Sequence, residues 1–301
     1  MQGLPRRLKP RVKARTHGLI VLLGLLAAGA LLPRAAEAAG SPTVSEFTLS
    51  SSELEAMTQS LPQGIRAGIL ASPQDFLRLV GNALDEPAIF FHLVDKRHPL
   101  AADYEPEDLV NLKAYPLSVS WGDILLRKAI MPAVLEMTGA AKKDGVALVF
   151  SSGYRSFEYQ KYVYAREVET YGQETADRES ARPGASQHQL GTAIDFGSIT
   201  DAFDQTRAGR WLAAHAAEYG FSLSYPQGFE GVTGYRYESW HYRFITKPGA
   251  LLQRKYFGDI QQYLLEFLDE NRAVLESRRA TAGRGRTPGR RGKGLPRRRS
   301  R

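Results

Sequence analysis

Residues 186–198 read "SQHQLGTAIDFGS", and they place a histidine and an aspartate seven positions apart around a glycine. That interval is neither the i,i+4 step of a helix face nor the i,i+2 step of a strand face, so the chain must bend between His188 and Asp195. Gly191 supplies the bend, and Thr192-Ala193-Ile194 reads as the start of a buried strand that carries Asp195 inward. A carboxylate delivered into a core is costly unless a cation or several donors meet it. The plainer alternative, a turn followed by a strand whose aspartate caps the next segment, stands on these residues alone.

Outward from this stretch, the 301 residues alternate helical and extended patterns without a βαβ rhythm. The spacing predicts helices over much of 41–90, over Asp123–Lys143 with Pro132 as a kink or late start, over "SFEYQKYVYAREVETYG", around "AGRWLAAHAAEYG" and from about Asp259 to Glu276. Ser72-Pro73-Gln74-Asp75 reads as a helix start. Short strands are expected in "GVALVFSS", before and through Asp195, in "FSLSY" and in "SWHYRFI", while "QETADRESARPGAS" reads as a polar loop long enough to suggest function. Together these indicate an α+β fold with a small mixed or antiparallel sheet flanked by helices.

The two ends differ from the body. Residues 1–17 hold six Lys or Arg and no acid, Gly18–Leu32 is an uncharged apolar run, and Ala36-Glu37-Ala38 follows. That order describes a secretory signal peptide over 1–38, with N-terminal membrane anchoring as the alternative to cleavage. Residues 277–301 contain eleven Lys or Arg and no acid, which reads as a disordered basic tail. Between them, residues 39–276 carry 22 basic and 31 acidic side chains, so the formal charge of +8 belongs to the ends. A cationic tail outside the membrane suits an anionic wall polymer or an acidic membrane surface, and an export signal on an acidic body argues against nucleic acid. There are no cysteines, which excludes a disulfide framework and thiol catalysis and leaves His, Asp and Glu to build any metal site.

Of the six histidines, His17 belongs to the leader, His215 reads as a packed helix residue, and His92 and His98 lack a partner at metal spacing. His241 sits in Glu238-Ser239-Trp240-His241, with the carboxylate three residues before the imidazole. Two imidazoles and a carboxylate on zinc leave a fourth position for water, whose pKa falls to ~7, and an unligated carboxylate beside it can move the proton. Glu238 suits that work. A carbonyl under attack needs a positioned cation, and Arg155 in "SSGYRS" follows a buried strand.

"SGYRS" followed by Gln160, then "SQHQLGTAID", then "GYRYESWHYR" resemble in order and spacing the VanY-type D-alanyl-D-alanine carboxypeptidases, a group of zinc peptidases related to lysostaphin-like enzymes and the hedgehog signalling domain. "RHPLAADYEPEDLV" is similar to the family's segment ahead of the core, so the likeness covers about residues 92–246. The resemblance implies a hedgehog/D,D-peptidase-like domain in which His188, Asp195 and His241 bind Zn2+, Glu238 is catalytic base and acid, and Arg155 contacts the scissile carbonyl. It further implies that Gln160 and Ser186 line the substrate pocket. Gln187 departs from the glutamate common in relatives, and Ser239 from the proline that often precedes the tryptophan.

The expected organisation is a signal peptide over 1–38, a helical preface over 39–90, a catalytic domain over 91–276 and the tail. The expected substrate is a peptidoglycan stem peptide losing its terminal D-alanine outside the cytoplasm. Cleavage of an L,D bond in tetrapeptide stems and a non-catalytic zinc-stabilised wall-binding module are the competing expectations.

Overall fold

The computed structural model describes residues 46–279, which fall within one compact unit, and no helix among them is long and apolar enough to cross a membrane. The expected signal peptide lies outside the described residues, as does the basic tail beyond Arg279. Seven strands are formed among the described residues: β1 (Leu109–Asn111), β2 (Ser118–Val119), β3 (Leu125–Arg127), β4 (Val149–Ser152), β5 (Ala193–Phe196), β6 (Phe221–Leu223) and β7 (His241–Phe244). The main sheet runs β2-β4-β5-β7-β6, with β2 parallel to β4 and every other pairing antiparallel. This is the mixed sheet of an α+β fold. β1 and β3 form a separate antiparallel pair.

Ten α-helices among the described residues surround the strands: α1 (Ser51–Met57), α2 (Gln63–Ala71), α3 (Pro73–Leu84), α4 (Met131–Lys143), α5 (Phe157–Tyr171), α6 (Gln173–Glu179), α7 (Arg207–His215), α8 (Glu230–Thr233), α9 (Lys247–Tyr256) and α10 (Gln261–Arg278). Three sequence expectations need correction. The segment before Met131 is β3 and a 3-10 turn, because Pro132, lacking an N–H, belongs in a first helical turn where none is needed; it marks a late start and not a kink. The supposed polar loop contains α6. α3 starts at Pro73 with Asp75 in its first turn, as expected, but the Ser72 side chain expected to cap it makes no cap bond.

Two large cores result. One packs the sheet against α4 and α7, with Phe150, Ile194, Phe196 and Phe221 fully buried. The other joins α1–α3 to α9 and α10 around Phe76, whose ring meets those of Tyr256, Phe257 and Phe267 at centroid distances of 5.2, 6.1 and 5.5 Å. Helices of the expected preface therefore share a core with the C-terminal helices. The closing helix runs to Arg278, beyond its expected end, so the first residues of the expected tail are ordered. Thr48 N–H donates to the Arg278 carbonyl at 2.8 Å, Phe47 bridges Arg279, and the Arg279 guanidinium grips both Glu46 and Asp85.

Candidate metal centre

Register brings two of the three expected ligands together. Asp195 on β5 stands directly opposite His241 on β7, so both side chains leave the same face of adjacent strands. Asp195 also faces Ser152, the last residue of β4. His188 arrives from outside the sheet, on a 3-10 turn over Gln187–Leu190 that ends at Gly191 with φ of 70°. A Cβ there would lie 3.0 Å from Arg127 Cγ and 3.1 Å from Leu109 Cδ2, so both the dihedral and the space call for glycine. Ligand atoms of His188, Asp195 and His241 all lie within 4.8 Å of one another, and all three residues are buried.

The two imidazoles are held with opposite nitrogens bare. His188 Nδ1–H donates to the Gly153 carbonyl at 2.6 Å, which leaves Nε2 as a lone pair 3.2 Å from Asp195 Oδ2. His241 Nε2–H donates to Gln187 Oε1 at 3.3 Å, which leaves Nδ1 facing Asp195 Oδ1 at 3.0 Å. Gln187 is fixed in turn: its carbonyl accepts from Ser224 Oγ at 2.7 Å and its amide donates to Gln261 Oε1 at 3.3 Å. Orienting partners of this kind set a ligand's tautomer.

His188 Nε2 and Asp195 Oδ1 are buried without a hydrogen-bond partner, a costly state for polar atoms that a cation between them would relieve. Neighbouring ligands on a tetrahedral zinc lie about 3.4 Å apart for bonds of about 2.1 Å. Both carboxylate–imidazole separations approach that value, and two nitrogens with one oxygen are a donor set zinc takes in hydrolytic sites. The residues fit the ion.

Electrostatics follow from burial. His188 is pushed down to about 4 by burial and by the Arg155 charge. Burial works to raise the Asp195 pKa, yet both imidazoles together hold it well below the ordinary range. Glu238, only 8% exposed, is pushed up to about 8 by burial and by the charge of Asp195. Its Oε2 lies 3.7 Å from His241 Nδ1.

A cavity of about 700 Å³ opens onto Asp195, Glu238, His241 and Arg155, and a smaller recess of about 50 Å³ adds Ser186, His188, Tyr225 and Tyr235. Arg155 borders both, its backbone N–H on the His188 carbonyl at 3.3 Å and its Nε without a partner. Ser186 lines the recess beside His188. Gln160 is fully buried and lines neither space; its amide donates to the Ala181 carbonyl at 2.7 Å, pinning the chain beside the cavity. Ser224 and Gln261, which steady Gln187, were beyond sequence reading because only tertiary contact relates them to it. His98 bonds Asp95 at 2.8 Å, and His215 packs on Trp211, both away from the centre.

Comparison with known proteins decides the family. The profile described as VanY, D-alanyl-D-alanine carboxypeptidase, matches residues 123–247. The bifunctional D-Ala-D-Ala dipeptidase and carboxypeptidase VanXYC of Enterococcus gallinarum is 30% identical over 167 residues, 52% of this chain and 83% of the relative. The chain belongs to the VanY family. Among other similar proteins, YodJ of Bacillus subtilis, a carboxypeptidase by name, is 36% identical over 174 residues, covering 56% of this chain and 64% of YodJ. A D-alanyl-D-alanine carboxypeptidase of Enterococcus faecium is 27% identical over 62% of this chain and 60% of its own length, so the chain spans less than two thirds of both. Solved structures of similar fold include the LdcB LD-carboxypeptidase, at TM-score 0.53 and 35% identity over 59% of this chain and 84% of that one. A VanY D,D-pentapeptidase variant in complex with Zn(II) aligns at TM-score 0.50 and 29% identity over 59% and 99%.

Proposed function

We propose that this VanY-family protein is an exported zinc carboxypeptidase that removes the C-terminal D-alanine of peptidoglycan stem peptides. The observation that carries the reading is the convergence of a bare His188 Nε2, a bare His241 Nδ1 and the Asp195 carboxylate beside the buried, unligated Glu238. When bound by these three residues, zinc supplies Lewis acidity and a water acidic enough to ionise near neutrality. Glu238 accepts the proton of the attacking water and passes it to the leaving amine, a role that its place beside the ligand trio and outside it suits. Arg155 presents its guanidinium to the carbonyl oxygen as negative charge develops there, and Ser186 bounds the recess that holds the substrate's end. The zinc-bound VanY structure supports the choice of ion.

A second reading keeps the chemistry and changes the bond. Likeness to an LD-carboxypeptidase favours tetrapeptide stems ending in an L,D linkage. Incubating the purified, zinc-loaded protein with pentapeptide and tetrapeptide muropeptides and weighing the products separates the two. Loss of D-alanine from neither refutes both and leaves the zinc-stabilised wall-binding module. Export rests on residues 1–38, and the basic residues after 279 suit an anionic wall polymer or membrane surface, an association that salt should weaken.

A further inference from the structure

The hydrogen bond that leaves His241 Nδ1 bare is the last of a buried chain. His241 Nε2–H donates to Gln187 Oε1 at 3.3 Å, Gln187 Nε2 donates to Gln261 Oε1 at 3.3 Å, and Gln261 Nε2 donates to the Ser222 carbonyl at 3.3 Å. Ser224 Oγ lies beside both amides, 2.7 Å from Gln187 Oε1 and 3.3 Å from Gln261 Oε1. All of these residues are buried, so a donor or acceptor turned the wrong way among them would stay unpaired.

The members differ in what can be reversed. A glutamine amide can turn over and exchange its donor and acceptor ends, and a hydroxyl can donate or accept. The Ser222 main-chain carbonyl can only accept. It therefore requires the NH2 end of Gln261, which turns the Gln261 oxygen toward Gln187 and requires an NH2 end there as well. The Gln187 oxygen is left for His241, and an oxygen in that place calls for a proton on Nε2. Asp195 Oδ1, 3.0 Å from Nδ1, pulls that proton the other way, onto the nitrogen a cation needs. Moved there, it would leave the Nε2 lone pair against the Gln187 oxygen, two acceptors facing each other away from water.

We infer that Gln261 is a positioning residue for the metal centre, passing the fixed polarity of the Ser222 carbonyl through Gln187 to His241 and so keeping Nδ1 open to the ion. Gln261 opens α10, which shares a core with α1–α3, so the helical part of the molecule reaches the centre through this side chain. The inference rests on the zinc reading, and its test separates the two. A carboxylate accepts at both ends, so the relay matters only while residue 187 is an amide. Zinc affinity is measured by chelator competition for wild type, Gln261→Met, Gln187→Glu and the double variant, methionine keeping the length of the side chain. Gln261→Met should weaken zinc by about tenfold, the lower end of the range for partners of metal-bound imidazoles. In the Gln187→Glu background the same change should cost nothing or tighten binding, because it removes an oxygen facing a carboxylate. In the zinc-loaded wild type the His241 Nε2–H proton should give a nuclear magnetic resonance signal sheltered from exchange, and Gln261→Met should remove the shelter. Equal weakening in both backgrounds, weakening in neither, or a zinc-loaded wild type with its proton on Nδ1 overturns the relay and leaves the metal centre standing; the last of these needs no variant. A wild type that binds no zinc overturns the centre and the relay with it.

Discussion

Glu238 combines a cost to the fold with a proposed use in turnover. Replacing it with glutamine should leave zinc bound while lowering kcat by about 10²–10⁴-fold, the range for a lost general base, as measured by metal analysis beside steady-state kinetics. His188→Ala should lose the metal itself. The pKa of Glu238 predicts a second effect, on stability. Its carboxyl ionises near 4.5 in the unfolded chain and near 8 in the fold, so over that interval the native state holds a proton the unfolded chain has released. Its contribution is present below pH 4.5 and is lost as pH rises toward 8. His188 works the other way, contributing fully above 6.5 and losing its contribution as pH falls toward 4. Metal-free Glu238→Gln should therefore gain in Tm over metal-free wild type as pH climbs from 5 to 8; an unchanged difference would contradict the burial argument. Gln187, an apparent departure in the sequence, proves to be the acceptor that frees His241 Nδ1. Gln187→Leu should weaken zinc binding by roughly 10–100-fold in a chelator competition.

At the level of elements, the ligand trio depends on three connections: the β5–β7 register, the left-handed Gly191 and Gly153, the residue after β4, whose carbonyl holds His188. A Cβ on Gly153 would come within 2.5 Å of the Leu125 carbonyl, so β3 packs too closely there for any side chain. The bend at Gly191 and the inward strand were legible because a glycine between a histidine and an apolar run has few other uses. The late start of α4 was not, since apolar spacing alone cannot separate a short strand and a 3-10 turn from helix. Nor was the placing of Gln160 behind the cavity wall, which depends on how the 180–181 segment returns across α5. The N-terminal helices make their own prediction. Phe76→Ala should destabilise the protein by about 3–5 kcal/mol in denaturant unfolding, because its ring is fully buried among Tyr256 at the end of α9, Phe257 just after it and Phe267 on α10.

For the whole molecule, the proposed ion is also a fastener, since its three ligands come from β5, β7 and the turn before Gly191. Free zinc at a hundredfold over its Kd should stabilise the fold by ~2.7 kcal/mol, and a chelator should lower Tm correspondingly in calorimetry. An unchanged Tm would mean that the trio binds no ion. The α+β class and the helical periphery were legible from the absence of a βαβ rhythm, but the merging of N- and C-terminal helices into one core was not, because only tertiary contact relates segments so distant in sequence. That merging ends in the Arg279 clasp on Glu46 and Asp85, beside the Thr48–Arg278 contact. A pull applied between residues 46 and 279 is thus met first by this short surface contact, and the strands bearing the proposed metal ligands, lying inside the closed loop of chain, carry no tension until it parts.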